Sequence, residues 1–254
     1  MANFSAGFTQ RQVPGSRADI PKSVGVVPSG LAFDGGVVST FATLSFGSAP
    51  FGLAFDGSGN LYTANDGTNR IKKIAPGGVV SNFANLPASS APWGLAFDGS
   101  GNLYVSNSGT DKISKITPGG SVSTFATLSA ISAVAGMAFD NSGNLYVVQS
   151  IVNRIEKITP GGSVSTFVNL VDDNAGPQGL VFDSSDNAFY LAESNAGKIK
   201  KITLAGAQTD FASYDAGYFL AIQPVPEPGS VGVVFAFALG SVALLRRAPH
   251  RRLA

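Results

Sequence analysis

The polar and apolar positions of this chain fall into a pattern that returns about every 42 residues. Each return opens with a short apolar run closed by an aspartate: Gly52-Leu-Ala-Phe-Asp56, Gly94-Leu-Ala-Phe-Asp98, Gly136-Met-Ala-Phe-Asp140 and Gly179-Leu-Val-Phe-Asp183. In the copy over residues 91–128, the run ending at Asp98 meets the turn cluster Gly99-Ser-Gly-Asn102, and Leu103-Tyr-Val-Ser106 follows as a second run. Asn107-Ser-Gly-Thr-Asp111 turns again and Lys112-Ile-Ser-Lys-Ile-Thr117 is a third run. Pro118-Gly-Gly120 then turns once more, and Ser121-Val-Ser-Thr-Phe125 is the fourth. Short runs rich in Val, Ile, Tyr and Phe, separated by Gly, Asn, Asp and Pro, predict an antiparallel meander. Four strands in about 42 residues is the size of one β-propeller blade. The first two runs are apolar on both alternating faces, as a blade sandwiched between neighbours requires. The third carries the lysines and is expected nearer the rim.

Complete copies span residues 49–86, 91–128, 133–170 and 176–213. Before them, Gly30-Leu-Ala-Phe-Asp34 runs straight into Gly36-Val-Val-Ser-Thr-Phe41, a copy that lacks its second and third strands. After them, Gly217-Tyr-Phe-Leu-Ala-Ile222 reads as one more first strand. The expected fold is therefore all-β: a propeller of four complete four-stranded blades plus a partial fifth built from the two ends, in a closed or an open ring. An irregular segment, 1–27, precedes the propeller at 28–222, and a tail of different composition occupies 223–254.

The Gly-Leu-Ala-Phe-Asp, Gly-Asn-Leu-Tyr-Val and Asn69-Arg70-Ile71-Lys72-Lys73-Ile74 segments resemble those of NHL-repeat propellers over roughly residues 28–222. That resemblance implies the fold and leaves the function open, because the family includes binding modules and enzymes alike.

Composition changes little of this picture. Gly (31) and Pro (14) suit many tight turns, and the absence of cysteine removes disulfide and thiol chemistry. The net charge of +1 conceals an asymmetry, since Arg246, Arg247, Arg251 and Arg252 crowd the last nine residues. Residues 1–225 hold 13 basic and 15 acidic side chains, so no basic footprint for nucleic acid exists there.

The tail places Val225-Pro226-Glu227-Pro228 before a 17-residue apolar stretch, 229–245, which is followed by the arginines. At about 1.5 Å per residue a helix of that length just spans the hydrocarbon core, and the arginines behind it follow the positive-inside rule. These three parts in order resemble a PEP-CTERM sorting signal. The resemblance implies export in a Gram-negative, polysaccharide-secreting bacterium, a transient inner-membrane anchor and processing by an exosortase-type enzyme. It places the mature protein on the cell surface or in the extracellular matrix. Residues 1–12 carry neither a charged n-region nor an apolar h-region. A truncated start is the expectation that accounts for this and for the clipped first copy.

Chemistry-bearing residues are few. Histidine occurs once, at His250, which removes histidine catalysis and histidine metal sites from the repeats. Lyases of the streptogramin-inactivating type and amidating lyases of the same superfamily rely on histidines, and a Ser-His-Asp triad is excluded for the same reason. Asp56, Asp98, Asp140 and Asp183 open Asp-x-Ser-Gly-Asn or Asp-Ser-Ser-Asp-Asn, a spacing suited to a turn in which aspartate bonds its own backbone. Calcium at these turns is the alternative, although the downstream bidentate Glu is missing. Asn65, Asn107, Gln149 and Glu193 recur at the end of strand two, and Phe51, Trp93 and Gln178 begin strand one at the same face. Carboxamides, a carboxylate and an aromatic platform are the groups that hold sugars, so these seven residues are the candidate ligand site. A solvated loop rim is the competing reading. Lys73, Lys115, Lys157 and Lys201, with Arg70, Lys112, Arg154 and Lys198, repeat in strand three. They serve either acidic polysaccharide or protection of exposed strands.

The expectation from sequence is a non-enzymatic, exported propeller without a cofactor that binds extracellular glycan or surface protein. The alternatives are a divalent-metal-dependent lactonase or lyase and a decayed, inactive copy.

Overall fold

The structure is a computed structural model that describes residues 42–45, 47–129, 133–171 and 176–213, together with three short C-terminal strands. Blade one comprises β1 (Pro50–Phe55), β2 (Leu61–Asn65), β3 (Arg70–Ile74) and β4 (Val80–Asn85). Blade two comprises β5 (Pro92–Phe97), β6 (Leu103–Asn107), β7 (Lys112–Ile116) and β8 (Val122–Thr127). Blade three comprises β9 (Val134–Phe139), β10 (Leu145–Gln149), β11 (Arg154–Ile158) and β12 (Val164–Asn169). Blade four comprises β13 (Pro177–Asp183), β14 (Ala188–Glu193), β15 (Lys198–Thr203) and β16 (Gln208–Ser213). Each sheet is an antiparallel meander whose strands pair in chain order. These four sheets are the four-bladed all-β propeller expected from the period.

Neighbouring blades pack face to face because strand two is apolar on both sides. Its five residues are buried in blades one to three, and all six in blade four. Tyr62 and Ala64 of blade one meet Leu103 and Val105 of blade two. Tyr104 meets Leu145 and Val147, and Tyr146 and Val148 meet Phe189 and Leu191. The phenylalanines of the second and third complete copies of the opening run, Phe97 and Phe139, serve the preceding blade. Phe97 lies 5.1 Å edge-on to Tyr62, whose other side faces Phe83 at 4.9 Å. Phe139 and Phe125 flank Tyr104 in the same way at 5.0 and 4.9 Å. Such edge-to-face pairs add about 0.5–1.5 kcal/mol each beyond the area they bury.

The first strands line the axis. Gly52, Gly94, Gly136 and Gly179, each followed by a leucine or methionine, surround a small cavity of about 60 Å³. A Cβ on Gly94 would lie 2.6 Å from the Ala135 carbonyl oxygen of the next blade, so backbone meets backbone there and only glycine fits. The register slips across each of these glycines, between Pro50 and Leu53, Pro92 and Leu95, Val134 and Met137, and Pro177 and Leu180. These bulges re-aim Phe51, Trp93 and Gln178.

At the C-terminal side β17 (Ala221–Pro224) lies beside β13 and pairs with β18 (Val231–Val234), which pairs with β19 (Leu244–Leu245). The strand expected through Ile222 is thus present in part. Of residues 229–245 only Val231–Val234 and Leu244–Leu245 are described, as strand, and the rest of the stretch expected as a helix lies outside the described residues. Among the described residues no helix is long and apolar enough to cross a membrane. The rest of the partial fifth blade, the segment 1–27, Val225 to Pro228 and the four terminal arginines lie outside the described residues.

Candidate functional site

The two ends of the propeller carry different chemistry. At the end of the strand one-to-two turns, Asp56 Oδ1 accepts from the Ser58 and Asn60 N–H groups, both at 2.9 Å. Its Oδ2 accepts from Asn60 Nδ2 at 2.8 Å and from the Tyr62 hydroxyl at 3.2 Å. Asp98 and Asp140 repeat all four bonds. Asp183 takes Ser185 instead and passes the tyrosine to Asp186, which accepts from Tyr190 at 2.6 Å. Burial pushes the Asp56 and Asp98 carboxyls up, but these donors outweigh it and hold both below the ordinary range. Both oxygens of Asp56, Asp98 and Asp140 are thus already engaged by donors of their own hairpin. Among the described residues no three His, Cys, Asp or Glu side chains gather as metal ligands.

The strand-three lysines stand over the tyrosines of this end. Lys73, Lys115, Lys157 and Lys201 lie 5.5–5.9 Å from the ring centres of Tyr62, Tyr104, Tyr146 and Tyr190. Strand three is third of four in every blade, with strand four outside it. These lysines therefore cover tyrosine faces and do not guard an edge.

At the opposite end, strand register aligns one row per blade. Pro50, Asn65, Arg70 and Asn85 are partners across blade one, as are Pro92, Asn107, Lys112 and Thr127 across blade two. The row continues with Val134, Gln149, Arg154 and Asn169, and with Pro177, Glu193, Lys198 and Ser213. Asn65, Asn107, Gln149 and Glu193 are 0, 1, 0 and 0% exposed. Neither reading of them as a solvated rim nor as open ligand groups describes that position, because they sit inside the seams between blades.

Their bonds run to groups of their own blade. Asn65 Nδ2 donates to the Thr63 and Arg70 carbonyls at 2.9 and 3.2 Å. Asn107 Nδ2 donates to the Lys112 carbonyl and to Ser114 Oγ at 3.1 and 2.9 Å. Gln149 Nε2 donates to Glu156 Oε2 at 3.1 Å, while Arg154 donates to Gln149 Oε1 at 2.7 Å and pairs with Glu156 Oε1 at 3.0 Å. Glu193 lies 3.8 Å from the buried Lys200 ammonium, which bonds Asp210 at 3.0 Å, and Lys198 reaches the same Asp210 at 2.8 Å. Burial raises the Glu156 carboxyl above its usual range against the pull of Arg154. The strand-three partners at this level, Lys72, Ser114, Glu156 and Lys200, do not repeat in character from copy to copy, which is why the periodic reading passed over them.

Phe51, Trp93 and Gln178 do reach the mouth. All three are partly exposed, and each immediately precedes an axial glycine in the chain. The Phe51 and Trp93 rings, from adjacent blades, stack at 4.0 Å with planes 17° apart. Trp93 also packs toward the core between blades three and four.

Residues 30–219 match the model of the virginiamycin B lyase family. The chain belongs to that family. No curated protein matches it. Among solved structures it is similar to a streptogramin B lyase, at 20% identity and TM-score 0.64, over 80% of this chain and 70% of the other. It is also similar to a catalytically inactive histidine-to-alanine virginiamycin B lyase from Staphylococcus aureus, solved with quinupristin, at 19% identity and TM-score 0.63, over 83% and 73%. A gluconolactonase from Xanthomonas campestris is similar at 14% identity and TM-score 0.64, over 78% and 72%. At such identities the structures establish the fold. The family match overturns the expectation of a non-enzymatic module, which rested on the missing histidines. His250 lies outside the matched residues, so any acid or base in the propeller is a group other than imidazole.

Proposed function

We propose that this member of the family is an exported, surface-sorted propeller whose loop mouth takes a polysaccharide chain, with one sugar ring lying on the Phe51–Trp93 stack. The observation that carries the reading is that stack, two partly exposed parallel rings at the axis in blades that are otherwise close copies. Rings held this way expose flat apolar surface suited to the C–H face of a pyranose, and the Gln178 amide offers donors and an acceptor to its hydroxyls. Asn65, Asn107, Gln149 and Glu193 act from beneath by fixing the seams. The Val225-Pro-Glu-Pro228 motif with the terminal arginines supports surface sorting, with an exosortase-type membrane enzyme as the partner. Affinity electrophoresis through gels containing polysaccharide tests the site. Trp93→Ala should weaken retention by roughly tenfold, in line with the loss of one stacking contact. Retention unchanged by that substitution would remove the reading.

A second reading, turnover of a lactone or elimination from a bound ester, is favoured by the family match. Glu156, a buried carboxylate of the mouth end raised by burial and held by Gln149 and Arg154, is the group to test. Glu156→Gln should abolish any turnover of an aldonolactone or of quinupristin. Activity retained in that variant excludes the glutamate.

A further inference from the structure

We propose that the occupant of this mouth is an anionic polysaccharide whose carboxylates meet Arg70 and Lys112, on the two blades that also supply the aromatic stack. The proposal rests on the glycan reading and narrows it to a charge class. Four positions recur at the mouth end of every seam. They are the end of strand two (Asn65, Asn107, Gln149, Glu193), the start of strand three (Arg70, Lys112, Arg154, Lys198), the residue two further on (Lys72, Ser114, Glu156, Lys200), and its partner in strand four (Asn82, Thr124, Thr166, Asp210). In blades three and four the cations are paired within the blade, Arg154 by Glu156, the buried Lys200 by Glu193 and Asp210, and the half-exposed Lys198 by the exposed Asp210. In blades one and two the same four positions contain no carboxylate: Arg70 and Lys72 stand with Asn65 and Asn82, and Lys112 stands with Asn107, Ser114 and Thr124.

The direction of these cations follows from their neighbours. Arg154 turns inward and gives its Nε to Gln149 Oε1. The equivalent acceptors in blades one and two, Asn65 Oδ1 and Asn107 Oδ1, are buried with no hydrogen-bond donor, and Arg70 and Lys112 are exposed. Both side chains therefore face solvent instead of the seam. Asp66 and Asp111, the carboxylates of the adjoining loops, are half-buried, while Arg70 and Lys112 are exposed. The aromatic stack comes from the same two blades, with Phe51 in β1 and Trp93 in β5. Arg70 and Lys112 begin the third strands, about 10 Å outward from the first strands at ordinary strand spacing. One half of the mouth thus combines a platform for a ring with cations set apart from it. The other half is electrically closed. A chain of uronate sugars matches that half in shape and in charge, and a guanidinium is suited to grip a carboxylate with two bonds.

The experiment measures binding of alginate, polygalacturonate and neutral dextran to the propeller by calorimetry at low and moderate ionic strength. The uronate polymers should bind at least about tenfold more tightly than dextran at low salt, and most of that margin should disappear as salt screens exposed charges. Arg70→Gln with Lys112→Gln should weaken uronate binding by roughly tenfold and leave dextran unchanged. Lys198→Gln, which removes a cation already paired, should weaken uronate binding by less than about twofold. Melting curves of both variants verify that the fold survives. Equal binding of dextran and uronate, both lost with Trp93→Ala, would overturn the charge proposal and leave the glycan reading standing. Absence of binding to all three polymers would overturn both.

Discussion

Replacing Gly94 by alanine tests the packing on which the whole site stands. The added Cβ would lie 2.6 Å from the Ala135 carbonyl oxygen and 3.0 Å from Ser106 Oγ. The first distance is about 0.8 Å short of an ordinary van der Waals contact, and both neighbours are held: the carbonyl belongs to the adjoining β9 backbone, and Ser106 is fully buried. Ser106 Oγ accepts from Gly94 N–H at 2.7 Å and donates to the Ala135 oxygen at 2.7 Å, so it ties blade two to blade three at this spot. Forcing the strands apart should cost about 1–3 kcal/mol as overpacking, and each buried hydrogen bond lost about 1 kcal/mol more. The lower chain entropy of alanine offsets about 0.4–1 kcal/mol. The balance is a loss of about 2–4 kcal/mol, which for a chain of this size lowers Tm by about 5–15 °C. Gly99→Ala in the turn of the same blade is the control, because a Cβ there meets nothing within 4 Å. Thermal unfolding followed by circular dichroism should separate the two variants clearly. Equal melting temperatures would refute the backbone-to-backbone account of the axis.

Burial with Asp140 beside it pushes the Tyr146 hydroxyl up to about 12, so the folded state holds its proton after the unfolded chain has released it. Stability is therefore unaffected below pH 10 and falls as pH rises from 10 towards 12; Tyr146→Phe should flatten that decline in alkaline denaturation curves, and an unchanged slope would contradict the assignment. Glu156 is raised by burial, so its ionisation costs stability as pH climbs above the ordinary carboxylate range. Glu156→Gln keeps a partner for Gln149 and should leave stability at pH 7 unchanged or raised by up to about 1 kcal/mol; a loss of 2 kcal/mol in urea unfolding would show instead that the Arg154 pair dominates. Asp98→Asn puts an amide where the carboxylate accepts four hydrogen bonds, and should cost about 1–2 kcal/mol by the same assay.

The blades were legible in the sequence because each strand is short, bounded by a turn and repeated. The run expected from Leu103 is strand through Asn107, and that from Lys112 is strand through Ile116. The Asp-x-Ser-Gly-Asn turn was legible for the same reason, since its bonds lie within six residues of the aspartate. Burial at the mouth was not. Asn65 and Glu193 look like surface residues by type, and only contact between sheets distant in sequence places them inside a seam. The lysines of strand three were misjudged similarly, because their partner is a tyrosine one strand away at the same level. The raised carboxyl of Glu156 likewise has no local signal in the chain.

A repeated unit divides its own residues into those that must be alike and those free to differ. The axial glycines and the tyrosine with its two phenylalanines recur because each packs against a neighbouring copy, and the aspartate turn recurs because it closes the same hairpin in each blade. The buried ends of strand two, Asn65, Asn107, Gln149 and Glu193, bond groups of their own blade, so a change there leaves the neighbouring blades intact. Divergence between copies is accordingly concentrated where Phe51, Trp93, Ala135 and Gln178 follow one another around the axis, and where Lys72, Ser114, Glu156 and Lys200 follow one another below it. Blades three and four spend this freedom on ion pairs that close their seams, which fixes them without a ligand. Blades one and two leave theirs open, with exposed cations beside a stacked aromatic pair. In a fold built from near-identical blades, an asymmetric ligand can be recognised only through such differences, and these differences point it toward blades one and two.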